Sequence, residues 1–212
     1  MDPRTIRIKG RGEISVKPDT IRLNIELEGL KKDYESAMKL WAKQTRIVQE
    51  TLKPLGFGPE DLKTLSFNID TSYSRTKDGQ RIFEGYEFTQ EMKLELPLDN
   101  RLLGKVLYAL ADCSADPVIH ISFTAKDKGG VKNQLLEKAV EDAKEKAALL
   151  SHAAGVALGS ILSIDYSWSE INIESRSYIE DGCIGSSPSL DVDFSPEDID
   201  LSDTVTVVWE IL

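Results

Sequence analysis

Apolar and polar residues alternate from the start of the chain, a pattern typical of β-strands with one buried face. Two apolar sets of period two flank the turn residues Pro18 and Asp19: Ile6, Ile8, Ile14 and Val16 before them, then Ile21, Leu23, Ile25 and Leu27. A chain that folds back at this turn pairs position 16 with 21 and 14 with 23, which places both sets on one face. We therefore predict an opening β-hairpin.

The following segments predict helices and strands. An apolar stripe of period 3.6 predicts a helix over residues 33–55. Alternation over residues 65–69 and 86–96, with Asp78-Gly79 between them, predicts a second hairpin that pairs 69 with 88 and 65 with 92. Asp99 is the predicted N-cap of a short helix. The remaining predicted elements are a strand, a long helix and two closing strands, over residues 119–125, 131–154, 161–168 and 199–211.

From the second predicted strand to the fifth, the order is β-α-β-β-α-β, which is the split βαβ arrangement. Helices on one face of a largely antiparallel sheet make an α+β fold. The N-terminal hairpin strand, the long third helix and the C-terminal strands are additions to this unit. At 212 residues the chain is long enough for one domain, residues 1–212, or for two intertwined α+β subdomains.

Composition narrows the class of protein. Hydrophobic residues make up 41% and charged residues 29%, an ordinary balance for a folded domain. No stretch approaches the ~20 consecutive apolar residues of a membrane span, and strand-like alternation begins at Ile6 without an apolar leader before it. We expect a cytoplasmic protein, and the alternative is an exported protein whose signal peptide is not part of this sequence. Cys113 and Cys183 lack metal-site spacing, so we expect two free thiols, and a structural disulfide is the alternative.

The formal net charge is −10, from 36 acidic and 26 basic residues. This balance argues against nucleic acid as a partner, because phosphate binding requires a basic face. We interpret the cations on the polar face of the first strand as a solvated row with Glu26 and Glu28 as cross-strand partners. The row consists of Arg7, Lys9, Arg11 and Lys17.

Candidate catalytic chemistry is sparse. We interpret His120, on the polar side of a strand, and His152, in the last turn of the long helix, as structural or solvated. The sequence contains no HExxH, GxSxG or GxxxxGK[ST] motif. Gly10-Arg-Gly12 leads into a strand, so a bulge or a closely packed helix explains it better than a dinucleotide site. We interpret residues 128–132 as a flexible helix entry, with an anion site as the alternative. We expect no catalytic, cofactor or metal-binding residues.

Residues 180–203 carry eight carboxylates and no Lys or Arg: Glu180, Asp181, Asp191, Asp193, Glu197, Asp198, Asp200 and Asp203. Residues 191–195 begin like a calcium-binding loop, but Pro196 stands at the position of the obligatory glycine. We predict a mobile acidic loop over residues 170–195. Weak binding of a divalent cation is the alternative.

Three blocks of the sequence resemble the SIMPL domain family of bacterial proteins of unknown function. They are the opening Gly10-x-Gly12-x-Ile14-x-Val16-x-Pro18-Asp19, the run of Ala139, Ala143 and Ala147 with Gly155, Leu158 and Gly159 after it, and the tail over residues 196–211, which resembles the family's closing strand. The resemblance implies stress-related roles, envelope association in exported members, a tendency to form oligomers and no established reaction.

We therefore expect a non-enzymatic protein that acts through self-assembly or partner binding. The alternatives are a binder of a small ligand or divalent cation that uses the acidic segment, and an enzyme of unrecognised chemistry. Residues 204–212 carry one charge in nine, so we predict that this strand is a free sheet edge that pairs between copies. Burial between two neighbouring strands would satisfy the same pattern. Tight packing of the alanine run against a sheet or helix is a further prediction.

Overall fold

The computed structural model describes residues 4–166, 173–175 and 194–212. The strands are β1 Thr5–Val16, β2 Thr20–Lys31, β3 Lys63–Arg75, β4 Arg81–Pro97, β5 Val118–Thr124, β6 Leu158–Asp165, β7 Glu174–Ser175 and β8 Ile199–Ile211. The helices are α1 Tyr34–Leu52, α2 Asn100–Ala111 and α3 Lys128–Ala153, and a 3-10 turn, Lys53–Leu55, follows α1. The predicted α+β class with antiparallel sheets is confirmed.

Contacts divide the chain into two units, and each unit is assembled from separate segments. Unit 1 comprises Met1–Pro18, Thr124–Ser175 and Glu197–Leu212, and unit 2 comprises Asp19–Phe123 and Arg176–Pro196. The predicted loop over residues 170–195 falls mostly on residues outside the described ranges. Of its described residues, Ile173 is buried in a core cluster of unit 1.

Unit 2 contains the predicted β-α-β-β-α-β order, from β2 to β5, with the strand order β3-β4-β2-β5. Side chains of both helices and of β2, β4 and β5 form its core, which includes Ile21, Leu23, Ile25, Val48, Leu52, Phe88, Leu94, Leu103, Val106, Leu110 and Phe123. Side-chain caps begin both helices, and the cap at Asp99 is the one that the sequence predicts. Asp33 accepts a hydrogen bond from the Ser36 backbone N, and Asp99 accepts from Arg101 N and Leu102 N.

The hairpin of β3 and β4 is confirmed at one predicted pair and shifted at the other. Ile69 lies opposite Phe88 as expected. Met92, however, lies opposite Thr64 and not Leu65, because a bulge between Thr64 and Ser66 absorbs one residue. Leu65 is consequently half exposed.

The predicted opening hairpin is wrong. Strand β1 pairs with β8, so Val16 lies opposite Ile199, whereas β2 pairs with β4, so Ile21 lies opposite Leu96. All four strands alternate in the same way, and burial alone therefore does not choose between these partners. Glu26 is consequently not a partner of the basic row on β1, since it lies opposite Glu91.

Unit 1 is a three-stranded sheet of order β1-β8-β6 with α3 packed on one face. The prediction that the closing strand is a free edge is wrong, because β8 pairs on both sides. Its inward side chains Val205, Val207 and Trp209 are buried with the alanines of α3.

The alanine run of α3 is a tight packing surface, as predicted: Ala139, Ala143 and Ala147 are fully buried. The closest approach is to Gly10 and Gly12 of β1. A Cβ on Gly10 would stand 2.7 Å from Ala143 Cβ, and it would overlap the carbonyl oxygen of Ala139. Glycine is therefore required here by the helix backbone and not by a turn.

Candidate functional site

The two histidines singled out for chemistry lie on exposed surfaces. His120 is exposed on β5, and His152 is exposed in the last turn of α3. Cys113 is a half-buried free thiol, and Cys183 lies outside the described residues. Within the described ranges, His, Cys, Asp and Glu side chains do not converge in groups of three or more that could hold a metal ion.

The start of α3 carries its own carboxylate. Asp127 is the N-cap, and its side chain accepts a hydrogen bond of 2.8 Å from the backbone N of Gly130. An external anion would compete with this group for the same end of the helix. The interpretation of residues 128–132 as a helix entry therefore agrees with the geometry better than the anion-site alternative.

One carboxylate of the acidic segment lies inside the fold. Asp203 of β8 is buried and accepts a 3.0 Å hydrogen bond from the Tyr166 hydroxyl. Burial, with the adjacent Asp203 carboxylate, raises the pKa of Tyr166 above its ordinary value. Asp203 thus has a packing role that the sequence pattern did not show.

The two outer strands of the unit 1 sheet differ in how their edges are covered. On β1, the backbone N of Arg11 donates a 2.6 Å hydrogen bond to Asp142 Oδ2 of α3. Lys138 Nζ, one turn earlier on α3, donates to the carbonyl oxygen of Glu13 at 3.3 Å. Two helix side chains thus occupy backbone groups that an incoming strand would need.

Charge adds to this protection of β1. Its exposed face carries Arg7, Lys9, Arg11 and Glu13, and the Arg11 guanidinium forms a 2.8 Å ion pair with Glu13. Charged side chains, Lys above all, discourage pairing of an edge strand with another chain. Strand β1 therefore has two of the features that keep a sheet edge closed.

Strand β6 lacks both features in the part of the chain that the structure describes. Its eight residues contain one charged side chain, Asp165. Ile161, Leu162 and Ile164 are 43%, 47% and 52% exposed. Apolar side chains this accessible along an outer strand are typical of an interaction surface.

An apolar cleft lies beside β6, between that strand and α3. It has a volume of about 420 Å³ and is lined by Leu136 and Val140 of α3, Ile164 and Tyr166 at β6, and Val205 of β8. The charged residues Glu137, Glu141 and Lys144 also line it. Such a cleft can accept an apolar side chain, and the strand next to it can accept a second strand. We name this surface, β6 together with the cleft, the β6 surface.

Sequence reasoning found a strand here but not its exposure. The alternation over residues 161–168 predicts one buried face, whereas every residue from Ser160 to Asp165 is exposed. Two irregularities in the pairing with β8, between Leu158 and Ile161 and between Ile161 and Ser163, disturb the alternation. A pattern in sequence does not reveal such shifts.

Residues 6–209 match the SIMPL family, which is described as a protein of unknown function (DUF541). The chain belongs to the SIMPL family. Two relatives are the 26 kDa periplasmic immunogenic proteins of Brucella melitensis and Brucella abortus, each 26% identical over 167 residues. The matched region is 76% of this chain and 66% of each relative, so the chain spans slightly less than two thirds of the relatives' length.

The name of these two relatives states a location in the cell. Both are called periplasmic, which matches the exported alternative, and nothing supports the expectation of a cytoplasmic protein. Among the helices of the described residues, none combines the length and apolar character needed to cross a bilayer.

Proposed function

We propose that this SIMPL protein acts by self-assembly, through pairing of the β6 surface of one copy with the β6 surface of another. The observation that carries the proposal is the contrast between the two edges of one sheet. Helix α3 covers β1 with Asp142 and Lys138, whereas β6 presents Ile161, Leu162 and Ile164 to solvent. A twofold axis would use the same surface on both copies and close the assembly as a dimer.

The expected strength follows from the exposed side chains. Burying the accessible half of an Ile or Leu side chain contributes about 1 kcal/mol, and six such side chains in a twofold pair contribute about 6 kcal/mol. The loss of translational and rotational freedom costs about 4–15 kcal/mol. Apolar burial thus offsets only the lower end of this cost. A dimer that dissociates in the micromolar range has a net of about 8 kcal/mol, so strand pairing and the cleft must supply at least about 6 kcal/mol beyond these side chains. We expect an affinity in this range.

The binding role is proposed in place of catalysis, because exposed apolar side chains and an outer strand are what distinguish the β6 surface from the other edge of the sheet. The periplasmic name of the Brucella proteins supports a location outside the cytoplasm for this chain as well. The stress-related role that the resemblance implies stays a prediction.

Light scattering on a size-exclusion peak tests the proposal. At tens of micromolar, the wild-type chain should elute with a mass close to twice the 23.6 kDa of one chain. Ile164→Lys places a charge on the β6 surface and should shift the peak to one chain. The matched control is Ile82→Lys, because Ile82 is 47% exposed on β4 and is not part of the β6 surface.

A wild-type mass of one chain at this concentration would refute self-assembly. A dimer that survives Ile164→Lys, or that dissociates equally with Ile82→Lys, would refute the assigned surface. Thermal melting of each variant shows whether the substitution leaves the fold intact.

A further inference from the structure

Unit 2 carries a continuous row of aromatic rings where β3, β4 and the start of α1 meet. Tyr34 of α1 contacts Tyr86 of β4, Tyr86 contacts Phe83, and Phe83 contacts Tyr73 of β3, each with ring centroids 5.6 Å apart. All three contacts are edge-to-face, the geometry that aromatic quadrupoles favour. We name these four residues the aromatic row.

A β-bulge in β4 brings two members of the row, Phe83 and Tyr86, to the same face of the sheet. Phe83 and Tyr86 are three residues apart, and in a regular strand they would point to opposite faces of the sheet. Ser72 pairs with Gly85 and Tyr73 pairs with Phe83, so Glu84 is the extra residue that turns Phe83 toward Tyr86. Gly85 permits this, since it adopts φ +146° and a Cβ there would overlap the carbonyl oxygen of Lys31.

The row stays in contact with water. Tyr34, Tyr73 and Phe83 are between 41% and 51% exposed. Partly exposed aromatic side chains gathered on one rigid surface are the residues that most often dominate binding energy at protein interfaces, together with arginine. The row is therefore a candidate binding surface, and the charges beside it indicate which kind of partner it would bind.

At the Tyr73 end of the row, in residues 75–81, the charges are mainly positive. Arg75 and Arg81 lie directly opposite each other across the β3–β4 ladder, and the Arg81 guanidinium stands 4.2 Å from the centroid of the Tyr73 ring. Neither arginine forms an ion pair with the residues that the structure describes. With Lys77 and Asp78 between them, residues 75–81 have a net charge of +2 in a chain of −10.

The first carboxylate that follows Arg81 along β4, Glu84, already has hydrogen-bond partners. Glu84 accepts hydrogen bonds from Ser74 Oγ at 2.6 Å and from Lys32 Nζ at 3.3 Å. Two like charges directly opposite on a ladder destabilise the sheet. An incoming anion would remove the repulsion between Arg75 and Arg81, and an aromatic or aliphatic side chain beside that anion would pack on the row.

We propose that the aromatic row and the Arg75–Arg81 pair bind an acidic polypeptide segment, one in which carboxylates alternate with large apolar side chains. Single-stranded nucleic acid also combines negative charge with flat rings. A polyphosphate requires a long basic face, whereas residues 75–81 supply a net charge of only +2, which suits the few carboxylates of a short peptide segment. The proposal concerns a different surface from β6 and does not depend on self-assembly.

Isothermal titration calorimetry on the full chain provides the test. The probes are two synthetic twelve-residue peptides, one that repeats Asp-Leu-Glu-Phe and one that repeats Lys-Leu-Lys-Phe. The acidic peptide should bind in the micromolar range, more weakly as salt is raised, and the basic peptide should not bind. Phe83→Ala and Arg81→Gln should each weaken the acidic peptide by about tenfold.

The matched control is Ile82→Ala. Ile82 is next to Phe83 and equally exposed, but it points to the opposite face of β4, so its removal should leave the affinity unchanged. Absence of acidic-peptide binding, equal binding of both peptides, or equal losses from Ile82→Ala and Phe83→Ala would overturn the proposal. Tighter binding of an oligothymidylate than of the acidic peptide would also overturn it, in favour of nucleic acid.

Discussion

Replacement of Ala143 by Leu tests whether α3 rests directly on the sheet of unit 1. Ala143 is fully buried, and its Cβ lies 2.7 Å from the point where a Cβ on Gly10 would stand. Leucine adds three carbon atoms at this position. In a space that fitted them, these carbons would stabilise the fold by about 2.4 kcal/mol, at about 0.8 kcal/mol each.

The surroundings of Ala143 do not fit them, because the facing residue is a glycine whose backbone cannot rotate out of the way. The helix would have to move away from β1, and Ala139 and Ala147 would lose their contacts with the sheet at the same time. Overpacking of a rigid core costs about 1–3 kcal/mol. We expect a loss near the upper end, about 3 kcal/mol of unfolding free energy.

Urea unfolding followed by far-UV circular dichroism measures this loss. The control is Ala148→Leu, the same change five residues further along the same helix at an exposed position. Alanine and leucine have similar helix propensities, so this variant should stay within about 0.5 kcal/mol of the wild type. Equal unfolding free energies for the two variants would refute the close seating of α3.

Three further predictions address single contacts. Gly10→Ala gains about 0.5–1 kcal/mol of strand preference but meets the α3 backbone, so urea unfolding should show a net loss of about 1–2 kcal/mol. Asp99→Ala removes the cap of α2 and should cost about 1 kcal/mol, whereas Asp99→Asn should largely keep it. The hydrogen bonds from Lys146 Nζ and Arg11 N hold the pKa of Asp142 below its ordinary value of 3.8, so its carboxylate stabilises the fold above that pH and the contribution disappears as pH falls through the lowered value. The stability difference between wild type and Asp142→Asn should therefore shrink as the pH falls below 3.8 toward the lowered pKa.

The features that sequence alone predicted are those set by short-range chemistry. Asp99 caps α2 as predicted, because its carboxylate reaches the amides two and three residues ahead. The small residues at 139, 143 and 147 share one face of a helix for geometric reasons, and that face is buried. The order of elements in the split βαβ unit was predictable, because the apolar residues of each element recur with the period of a strand or of a helix.

Which strands pair in a sheet depends on residues that are far apart in the chain. The predicted pairing of β1 with β2 was therefore wrong. Val16 pairs with Ile199, although Ile21 follows it closely and offers the same alternation. The Pro18-Asp19 signal marks the end of one strand and the start of another, but it does not indicate which strand pairs with β1. The aromatic row was missed for a related reason. Its members span residues 34 to 86, and only the bulge at Glu84 brings Phe83 and Tyr86 together.

One feature of the sequence explains why the two edges of the unit 1 sheet differ. Gly10 and Gly12 have no side chains, so the backbone of α3 lies directly against β1. Helix α3 also packs on β8, but it makes few contacts with β6. The same displacement brings Asp142 and Lys138 over the edge of β1 and leaves the apolar cleft open beside β6. Glycine at two positions thus determines both which edge is closed and which is available. Gly10→Ala should therefore weaken the hydrogen bonds that Asp142 and Lys138 make to β1 as well as lower stability. Amide hydrogen exchange at Arg11 should accelerate more than exchange at the β1 amides that pair with β8. Uniform acceleration along β1 would show that α3 only adds stability and does not position the cover.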